Sequence, residues 1–385
     1  MCQGGLVLSK NEQFIYQVIE DFRAGRINRV EAAKLMQVSE RAVSRRVRKV
    51  RDQGFQGVKH GNSDRRPVNK KSEELKQKIL YLVDNVYPDF NLSHSLEMLE
   101  LHHEISISYM TLNNWARKAG ISRTRRRRAS KARIYRERMA NEGLLLQMDG
   151  SFHKWNGKDE WCLISMIDDA TSELAFAGFF KGETTENCMK ALRHVIETKG
   201  RPVYIYADGA GWAGGGQKRR FFSQFVRACE ELGIGVIPAG SAQAKGRVER
   251  SYRTAQDRLI PELRLYGATS MKDADRYLQQ CFVPHWNERF TVDSRLTESR
   301  YMPKAAHHNL DEILCYKYHR KIGNDNTVNF EGDRYKIPDE RFGSLRKKEV
   351  NIHRHFDGKI SIFYGHIKLR AEKIIPPKRR WVRGA

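Results

Sequence analysis

Three acidic residues, each at the end of an apolar segment or at the start of a helix, are the candidates for chemistry in this sequence. Asp149 closes the apolar segment Leu144–Met148, and Asp208 closes the segment Val203–Ala207. Glu249 lies in the first turn of a predicted helix that follows. Because groups at adjacent strand ends converge at one edge of an open sheet, and a helix packed there can present one more, the three carboxylates can meet.

Three carboxylates on rigid elements suit hard divalent cations. Two such ions about 3.5–4 Å apart can activate an attacking oxygen and stabilise the leaving oxygen in phosphodiester cleavage. Asp149, Asp208 and Glu249 are therefore the candidate catalytic residues and the candidate metal ligands. Each acid alone is more often a helix cap or a surface charge, so it is their joint placement that favours a functional interpretation.

The elements that must position these acids alternate between strand and helix. Apolar segments predict strands over residues 144–148, 161–167, 174–180, 203–207 and 235–238. Helical spacing predicts helices over residues 184–198, 219–232 and 246–265. Three consecutive strands followed by alternating helices and strands indicate a mixed sheet with helices on its faces. We therefore expect a central α/β core over residues 141–300 of a multidomain chain.

Short strands return in the C-terminal part, residues 310–385. The Asp357-Gly358 pair between two apolar segments is a strong hairpin signal, and Gly332 marks a second turn between strands. This pattern predicts a small β-barrel. Its basic end, residues 378–383, can also contact DNA.

The first of two helical regions, residues 1–58, predicts a helix–turn–helix. Apolar residues near Leu35 form one stripe, and Ser39 can cap a second helix that starts at Glu40. An arginine-covered second helix is suited to the major groove of DNA and its flanking phosphates. The predicted DNA contacts are Arg41, Arg45, Arg46, Arg48 and Lys49. The alternative is a solvated basic helix in a small bundle.

A second helical region over residues 70–120 predicts another, weaker helix–turn–helix, in which Ser108 caps a helix ending near Gly120. Its predicted DNA contacts are Asn113 and Arg117, and a plain helical packing unit is the alternative. The linker over residues 121–140 is strongly basic. We expect it to lie along phosphates or in a minor groove, rather than to be a solvated connector. The contacts predicted from this linker are Arg125, Arg126, Arg127 and Arg128.

The composition agrees with a nucleic-acid partner. The chain has 385 residues, with 70 Lys and Arg against 46 Asp and Glu, a formal net charge of +24. Such a surplus indicates a polyanionic partner, most simply nucleic acid. The sequence has no apolar run long enough for a membrane span, no signal-like start and no CxxC pair among its six scattered cysteines. We therefore expect a protein of the reducing cytoplasm.

Four segments resemble a known family. They are QMDGSFHKW around Asp149, IDDATSELAFAGFF after it, YADGAG around Asp208 and SAQAKGRVERSYRTAQDRLIPELRL around Glu249. Together they resemble the DDE transposases of bacterial insertion sequences, most closely the ISNCY-type elements and related integrase-core transposases of the retroviral integrase superfamily. The resemblance covers nearly the whole chain, and the QAKGRVER block within it is highly specific.

The resemblance implies a ribonuclease H-like core in which Asp149, Asp208 and Glu249 bind two Mg²⁺ or Mn²⁺ ions. It implies a DNA transposase that binds terminal inverted repeats, hydrolyses the phosphodiester at each element end and joins the freed 3′-OH to target DNA. Synapsis of two ends implies at least a dimer on double-stranded DNA, in the bacterial cytoplasm at the nucleoid.

Residues around the three acids keep more than one interpretation. Lys245, Arg247 and Arg250 flank Glu249 and can reach phosphates near the scissile bond, or be ordinary helix surface charge. Asp168 and Asp169 compete for a catalytic role, but the family pattern makes them turn or supporting groups. His153 and Trp155 can position a DNA end or be structural.

The chain departs from the family pattern in two places. The loop GAGWAGGGQKRR, with five glycines over residues 209–216, stands where relatives carry a short turn with His or Asn. It predicts a mobile loop that is either gated by substrate or a sign of relaxed activity. Ser241-Ala242-Gln243 replaces the usual Ser-Pro-Gln. A domesticated, catalytically weak DNA-binding regulator and a different ribonuclease H-like nuclease, such as a resolvase, are the alternative functions.

Overall fold

The structure is a computed structural model that describes residues 9–59, 70–121, 137–207, 224–238, 246–338 and 340–374. The chain divides into two compact units, Met1–Lys78 and Ile79–Ala385. Several predicted features lie outside the described residues, namely Asp208, the glycine loop 209–216, Arg125, Arg126, Arg127, Arg128, Lys245 and the basic end 378–383. The domain boundaries given above stay predictions.

Three capped helices lie in residues 9–59 of the first unit. They are α1 (Lys10–Arg23), α2 (Arg29–Leu35) and α3 (Glu40–Gln53), followed by a 3-10 turn at Gly54–Val58. Ser9, Asn28 and Ser39 each accept a hydrogen bond from a backbone N–H three residues on, a cap worth about 1 kcal/mol. The buried Ile19 lies in the small core between the helices. Helices α2 and α3, joined by a turn where Gln37 has φ 53°, form the predicted pair with Ser39 as cap.

The second helical region also contains three helices. They are α4 (Glu73–Tyr81), which continues into a π-helical turn at Leu82–Val86, α5 (Leu92–His103) and α6 (Tyr109–Lys118). Asn91 caps α5, and Ser108 caps α6 as predicted. Leu112 of α6 is buried, and Gly120 follows the helix with φ +77°, a left-handed conformation that glycine adopts without strain.

The centre of the second unit is the predicted α/β core. Its strands are β1 (Leu145–His153), β2 (Trp161–Asp168), β3 (Leu174–Phe180), β4 (Tyr204–Ala207) and β5 (Gly235–Pro238). Its helices are α7 (Thr185–Thr198), α8 (Gln224–Glu231), α9 (Gly246–Tyr266), α10 (Met271–Tyr277) and α11 (Val283–Phe290), the last two joined by a π-helical turn at Leu278–Phe282. The sheet order is β3-β2-β1-β4-β5. The first three strands pair antiparallel, whereas β4 pairs parallel to β1 and to β5.

Helices cover both faces of this sheet, which explains why every residue of β2 is buried. One face packs against α7 and α8 through residues such as Leu192 and Phe225. The other face packs against α9, α10 and α11 through residues such as Leu259 and Trp286. Because successive side chains of a strand point to opposite faces, the residues of β1 face these two helical layers alternately. The mixed sheet predicted from the sequence is therefore confirmed.

The C-terminal part begins with α12 (Leu310–Ile313) and continues as two antiparallel sheets. One sheet contains β6 (Tyr316–Lys321), β9 (Glu349–Arg354), β10 (Ile360–Tyr364) and β11 (Ile367–Leu369). The other contains β7 (Thr327–Phe330), β8 (Asp333–Lys336) and β12 (Glu372–Ile374). Both predicted hairpins are present, and Gly358 turns between β9 and β10 with φ +84°. Both sheets contribute to one apolar core, but the described residues do not close into a barrel, so the barrel stays a prediction.

Among the helices in the described residues, none combines the length and the apolar composition that a membrane crossing requires.

Candidate functional site

Asp149 lies within β1 and not at its end, contrary to the sequence analysis. The strand continues to His153 because it forms a hairpin with β2 along its full length, where Asp149 pairs with Ser165. On the other side of β1, within the described residues, β4 pairs with Leu145–Gln147. Asp149, which is half-buried, lies two residues beyond the last of these pairs.

Glu249 lies in the first turn of α9, which packs on the same sheet. Its neighbour Val248 is fully buried, whereas Glu249 itself is exposed. In the sequence Asp208 directly follows Ala207, the last residue of β4, which is the strand beside β1. The structure thus brings the elements of Asp149 and Glu249 together, while the position of Asp208 is outside the described residues.

A buried polar network joins the start of α9 to the sheet. Gln147 and Asp169 are both fully buried, at 0% exposure. The Gln147 side chain donates from Nε2 to Asp169 Oδ1 at 2.6 Å and accepts from the Val248 backbone N–H at 3.2 Å. Arg247 also donates to Asp169 Oδ1, at 2.7 Å. The remaining carboxylate oxygen, Asp169 Oδ2, accepts from the Met139 backbone N–H at 2.8 Å.

A second link lies one helical turn farther along α9. The Tyr252 hydroxyl donates to the backbone carbonyl of Asp149, and it accepts from Ser165 Oγ at 2.9 Å. Burial, with the Asp149 carboxylate adding to it, raises the pKa of the Tyr252 hydroxyl well above its ordinary value. The hydroxyl is therefore protonated, as a donor must be. Strand β1 is held to α9 on both sides of Glu249.

Asp168 has a different role from its neighbour Asp169. It accepts from the backbone N–H groups of Gly143 at 2.7 Å, Ala170 at 2.8 Å and Thr171 at 3.0 Å. Burial raises its pKa, although these backbone hydrogen bonds oppose the shift. Asp168 is therefore a turn-forming residue, as interpreted from the sequence, and Asp169 supports the start of α9.

Cys162 and Glu183 were not identified from the sequence, although both lie close to this region. A Cβ on Gly150 would lie 2.9 Å from Cys162 Sγ and from Glu183 Oε2, so only glycine fits there without displacing a side chain. Burial, with Glu183 and Asp149 adding their charges, raises the pKa of the Cys162 thiol to about 12. A thiol held protonated is a poor nucleophile, so Cys162 is a packing residue.

His153 and Trp155 lie where β1 ends and the connection to β2 begins. Trp155 is fully buried, its indole N–H donates to the Ser151 carbonyl at 3.3 Å, and its ring packs against Phe179. The His153 ring lies 5.5 Å from the Trp155 ring, centroid to centroid. Of the two interpretations of Trp155, the structural one therefore agrees with the fold.

The C-terminal half of α9 is fixed by the second helical region. Arg258 of α9 pairs with both carboxylate oxygens of Glu97 in α5, at 2.5 and 2.8 Å, and Arg289 adds a third contact at 2.7 Å. His94 Nε2 lies 2.7 Å from Glu262 Oε1. Burial works to raise the pKa of Glu97, but the Arg258 hydrogen bond and the charges of Arg258 and Arg289 work against it, and the pKa is lowered. Region 79–120 is thus packed on the core, whatever else it binds.

The side chains predicted to contact DNA are mostly exposed where the structure describes them. Arg41, Arg45, Arg48 and Lys49 of α3, Arg117 of α6 and Arg250 of α9 are exposed. Arg46 is half-buried, with its guanidinium 3.8 Å from Met36 Sδ, and Asn113 is half-buried as well. Arg247 is mostly covered and pairs with Asp169. The role of each in binding DNA stays a prediction.

No group of three or more His, Cys, Asp or Glu side chains arranged to hold a metal ion occurs within the described residues. This observation does not test the predicted triad, because Asp208 is not one of the described residues. Of the residues that sequence reasoning missed, Gln147 carried a readable signal. It is a polar residue within the apolar run Leu144–Met148, two positions before Asp149 and therefore on the same face of the strand.

Comparisons with known proteins give relatives that match over most of their length. No protein-family model matches the chain. The protein y4bF of Sinorhizobium fredii, which is named as a transposase, is 31% identical over 377 residues, 94% of this chain and 81% of its own. The transposase for insertion sequence IS1202 of Streptococcus pneumoniae is 27% identical over 393 residues, 91% of this chain and 83% of its own.

Solved structures match this chain at lower sequence identity than these two relatives. The HTLV-2 integrase catalytic core domain in complex with magnesium is 20% identical with a TM-score of 0.30, covering 38% of this chain and 85% of that one. The intasome of simian T-cell lymphotropic virus in complex with a PP2A regulatory subunit is 15% identical with a TM-score of 0.33, covering 78% of this chain and 100% of that one.

Proposed function

Since this chain belongs to the transposases of insertion sequences, we propose that it is a metal-dependent DDE enzyme. It binds the terminal inverted repeats of its element, hydrolyses the phosphodiester at each end and transfers the 3′-OH to target DNA. The observation that carries the proposal is that Asp149 and Glu249 lie on packed neighbouring elements, β1 and α9, which are tied together by hydrogen bonds on both sides of Glu249.

The residues fit a hard divalent cation such as Mg²⁺ or Mn²⁺. The proposed ligands Asp149, Asp208 and Glu249 offer only carboxylate oxygens, the donors that such cations prefer. Asp149 is half-buried in β1 and Glu249 is exposed, so DNA can approach both. When bound, the ions would supply charge neutralisation at the reacting phosphate. The protein itself contributes rigid placement of the carboxylates on a strand and a helix.

Exposed basic residues are proposed to hold the DNA. Arg41, Arg45, Arg48 and Lys49 occupy the outer surface of α3, the second helix of the helix–turn–helix. A basic helix in that position can enter a major groove while its guanidinium groups contact phosphates. Two element ends must be brought together for strand transfer, so the active form on DNA is proposed to be at least a dimer, acting in the bacterial cytoplasm.

The test is the Asp208→Asn variant of the full chain. With a DNA fragment that carries the element's end, the wild type should cleave the end and transfer it in Mg²⁺, and EDTA should abolish both reactions. Asp208→Asn should bind the end with unchanged affinity and lose both reactions. Retained cleavage would reject the assignment of Asp208. End binding by the wild type with no cleavage in any metal would favour the DNA-binding regulator instead.

A further inference from the structure

We propose that Gln147, Asp169 and Arg247 are positioning residues that fix Glu249 relative to Asp149 and thereby set the affinity of the site for its divalent metal. The proposal rests on the proposed function, because it needs Asp149 and Glu249 to be metal ligands. None of the three positioning residues is itself a ligand. They act through the backbone of α9 and through the face of β1 that α9 covers.

The geometry links the two acids by a short path. Gln147 and Asp149 are two residues apart on β1, so their side chains point to the same face of the sheet. Gln147 accepts from the N–H of Val248, the residue directly before Glu249. One side-chain hydrogen bond therefore connects the neighbourhood of the first acid to that of the last, and a displacement of α9 along its axis would break it.

Asp169 holds this link in place. Its carboxylate accepts from the Gln147 amide, the Arg247 guanidinium and the Met139 backbone N–H. The Gln147 amide is oriented because its nitrogen is engaged by Asp169, which leaves its oxygen directed to Val248. Arg247, in the same turn of α9 as Val248, donates to Asp169 Oδ1, the oxygen that also accepts from Gln147. The first turn of α9 is therefore attached at two residues, which restrains its rotation as well as its translation.

The energetics favour a role in placement over a role in stability. Burying a carboxylate and an amide is costly, and well-packed apolar residues of similar volume are often as stabilising as a buried ion pair. An apolar contact between β1 and α9 would, however, tolerate small shifts, whereas directional hydrogen bonds define one register. Support of this kind around metal ligands typically changes metal affinity or activity by about 10–100-fold.

The neighbouring Asp168 provides a matched control. It is as buried as Asp169, and its hydrogen bonds run to the backbone of Gly143 and of its own turn. Within the part of the chain that the structure describes, the Asp168 side chain makes its hydrogen bonds to Gly143, Ala170 and Thr171, and none of these lies in α9. Replacing Asp168 should therefore lower stability without changing the geometry between Asp149 and Glu249, which separates a loss of placement from a general loss of structure.

The experiment measures Mn²⁺ binding to the full-length protein by titration calorimetry, together with the melting temperature in the absence of metal. In Gln147→Leu and Arg247→Ala the Kd for Mn²⁺ should rise about 10-fold. In Arg247→Lys the rise should be smaller, because a lysine can still donate to Asp169. In Asp168→Asn the melting temperature should fall while the Kd for Mn²⁺ stays at the wild-type value.

Wild-type Mn²⁺ affinity in both Gln147→Leu and Arg247→Ala would overturn the proposal, and so would an equal loss of affinity in Asp168→Asn. If one variant does not fold, the other decides, because Gln147 lies on β1 and Arg247 on α9. Asp149→Asn and Glu249→Gln distinguish failure of the proposed metal site from failure of the positioning role. If they bind Mn²⁺ as the wild type does, or the wild type binds none, the metal site and the proposed function fail. If they lose binding while Gln147→Leu and Arg247→Ala both keep it, only the positioning role fails.

Discussion

Glu249 owes its place to residues on either side of it in the helix. The Val248 N–H before it is held by Gln147, and the Tyr252 hydroxyl after it is held by the backbone of Asp149 and by Ser165. Of these partners, Gln147 and Ser165 are buried and Asp149 is half-buried. A buried polar group that loses its hydrogen bond has no water to replace it. The exposed carboxylate of Glu249 is thus presented from a rigid base.

Removal of the Tyr252 hydroxyl should show how much its hydrogen bonds to β1 and β2 stabilise the protein. Tyr252→Phe keeps the ring packing but leaves the Asp149 carbonyl and the Ser165 hydroxyl without their buried partner. We expect the free energy of unfolding to fall by about 1–3 kcal/mol. Urea denaturation measures this change. Tyr266→Phe, at a side chain that is 45% exposed, is the control and should be close to neutral; equal losses in the two variants would contradict the structural role.

Helix α9 is the element that links the site to the rest of the second unit. Its first turn is tied to Gln147 of β1 and to Asp169, which directly follows β2. In a later turn, Arg258 pairs with Glu97 of α5. The Arg258 guanidinium also lies over the Phe290 ring, 5.0 Å from its centroid. A helix restrained along most of its length can hold an acid at one end against displacement by DNA.

Loss of the Glu97 charge should be strongly destabilising. Glu97→Gln would leave the largely buried Arg258, and Arg289 beside it, without the carboxylate that compensates them, and breaking a buried pair from one side costs about 3–5 kcal/mol. Hydrogen exchange of α9 peptides and the thermal transition report this loss. The control is Asp89→Asn, which breaks the exposed pair with Arg264 and should cost about 1 kcal/mol or less. Similar exchange rates in both variants would argue against the buried contact.

At the level of elements, local pattern predicted most of the core and long-range contact explains the rest. The strand over residues 174–180 and the helix that carries Glu249 follow from apolar spacing and were located closely. The extension of β1 to His153 could not be predicted, because the polar residues after Asp149 gain their strand structure only from pairing with β2. The pairing of Glu97 with Arg258 was equally hidden, since charges on helices are usually solvated and these two residues are far apart in sequence.

At the scale of the whole chain, the basic residues behind the net charge of +24 include two kinds. Some, such as Arg247 and Arg258, pair with buried carboxylates and stabilise the fold. Others, such as Arg41 and Arg45 on α3, are exposed. Composition alone cannot separate these classes, because a guanidinium that supports a helix and one that contacts phosphate are identical in sequence. Burial and partners separate them.

The exposed class should determine the salt dependence of DNA binding. Replacing Arg41, Arg45 and Arg48 together with glutamine should reduce the slope of log K against log salt by about 3, because each phosphate contact contributes a slope of about 0.9. Titration of DNA binding at several salt concentrations measures the slope. Arg23→Gln, on α1 and paired with Glu20, is the control and should leave the slope unchanged. An unchanged slope in the triple variant would exclude α3 as a phosphate-binding surface.

The central claim is that the carboxylate of Glu249 takes part in metal-dependent cleavage of DNA, and Glu249→Gln tests it most directly. This variant changes one exposed oxygen and leaves the anchors at Val248 and Tyr252 intact. Cleavage of a fragment carrying the element's end should be measured in Mg²⁺, with Glu186→Gln in the first turn of α7 as the control. We predict that Glu249→Gln binds the end normally and does not cleave it, while Glu186→Gln cleaves at the wild-type rate. Cleavage by Glu249→Gln at the wild-type rate would show that the Glu249 carboxylate is not needed for the reaction.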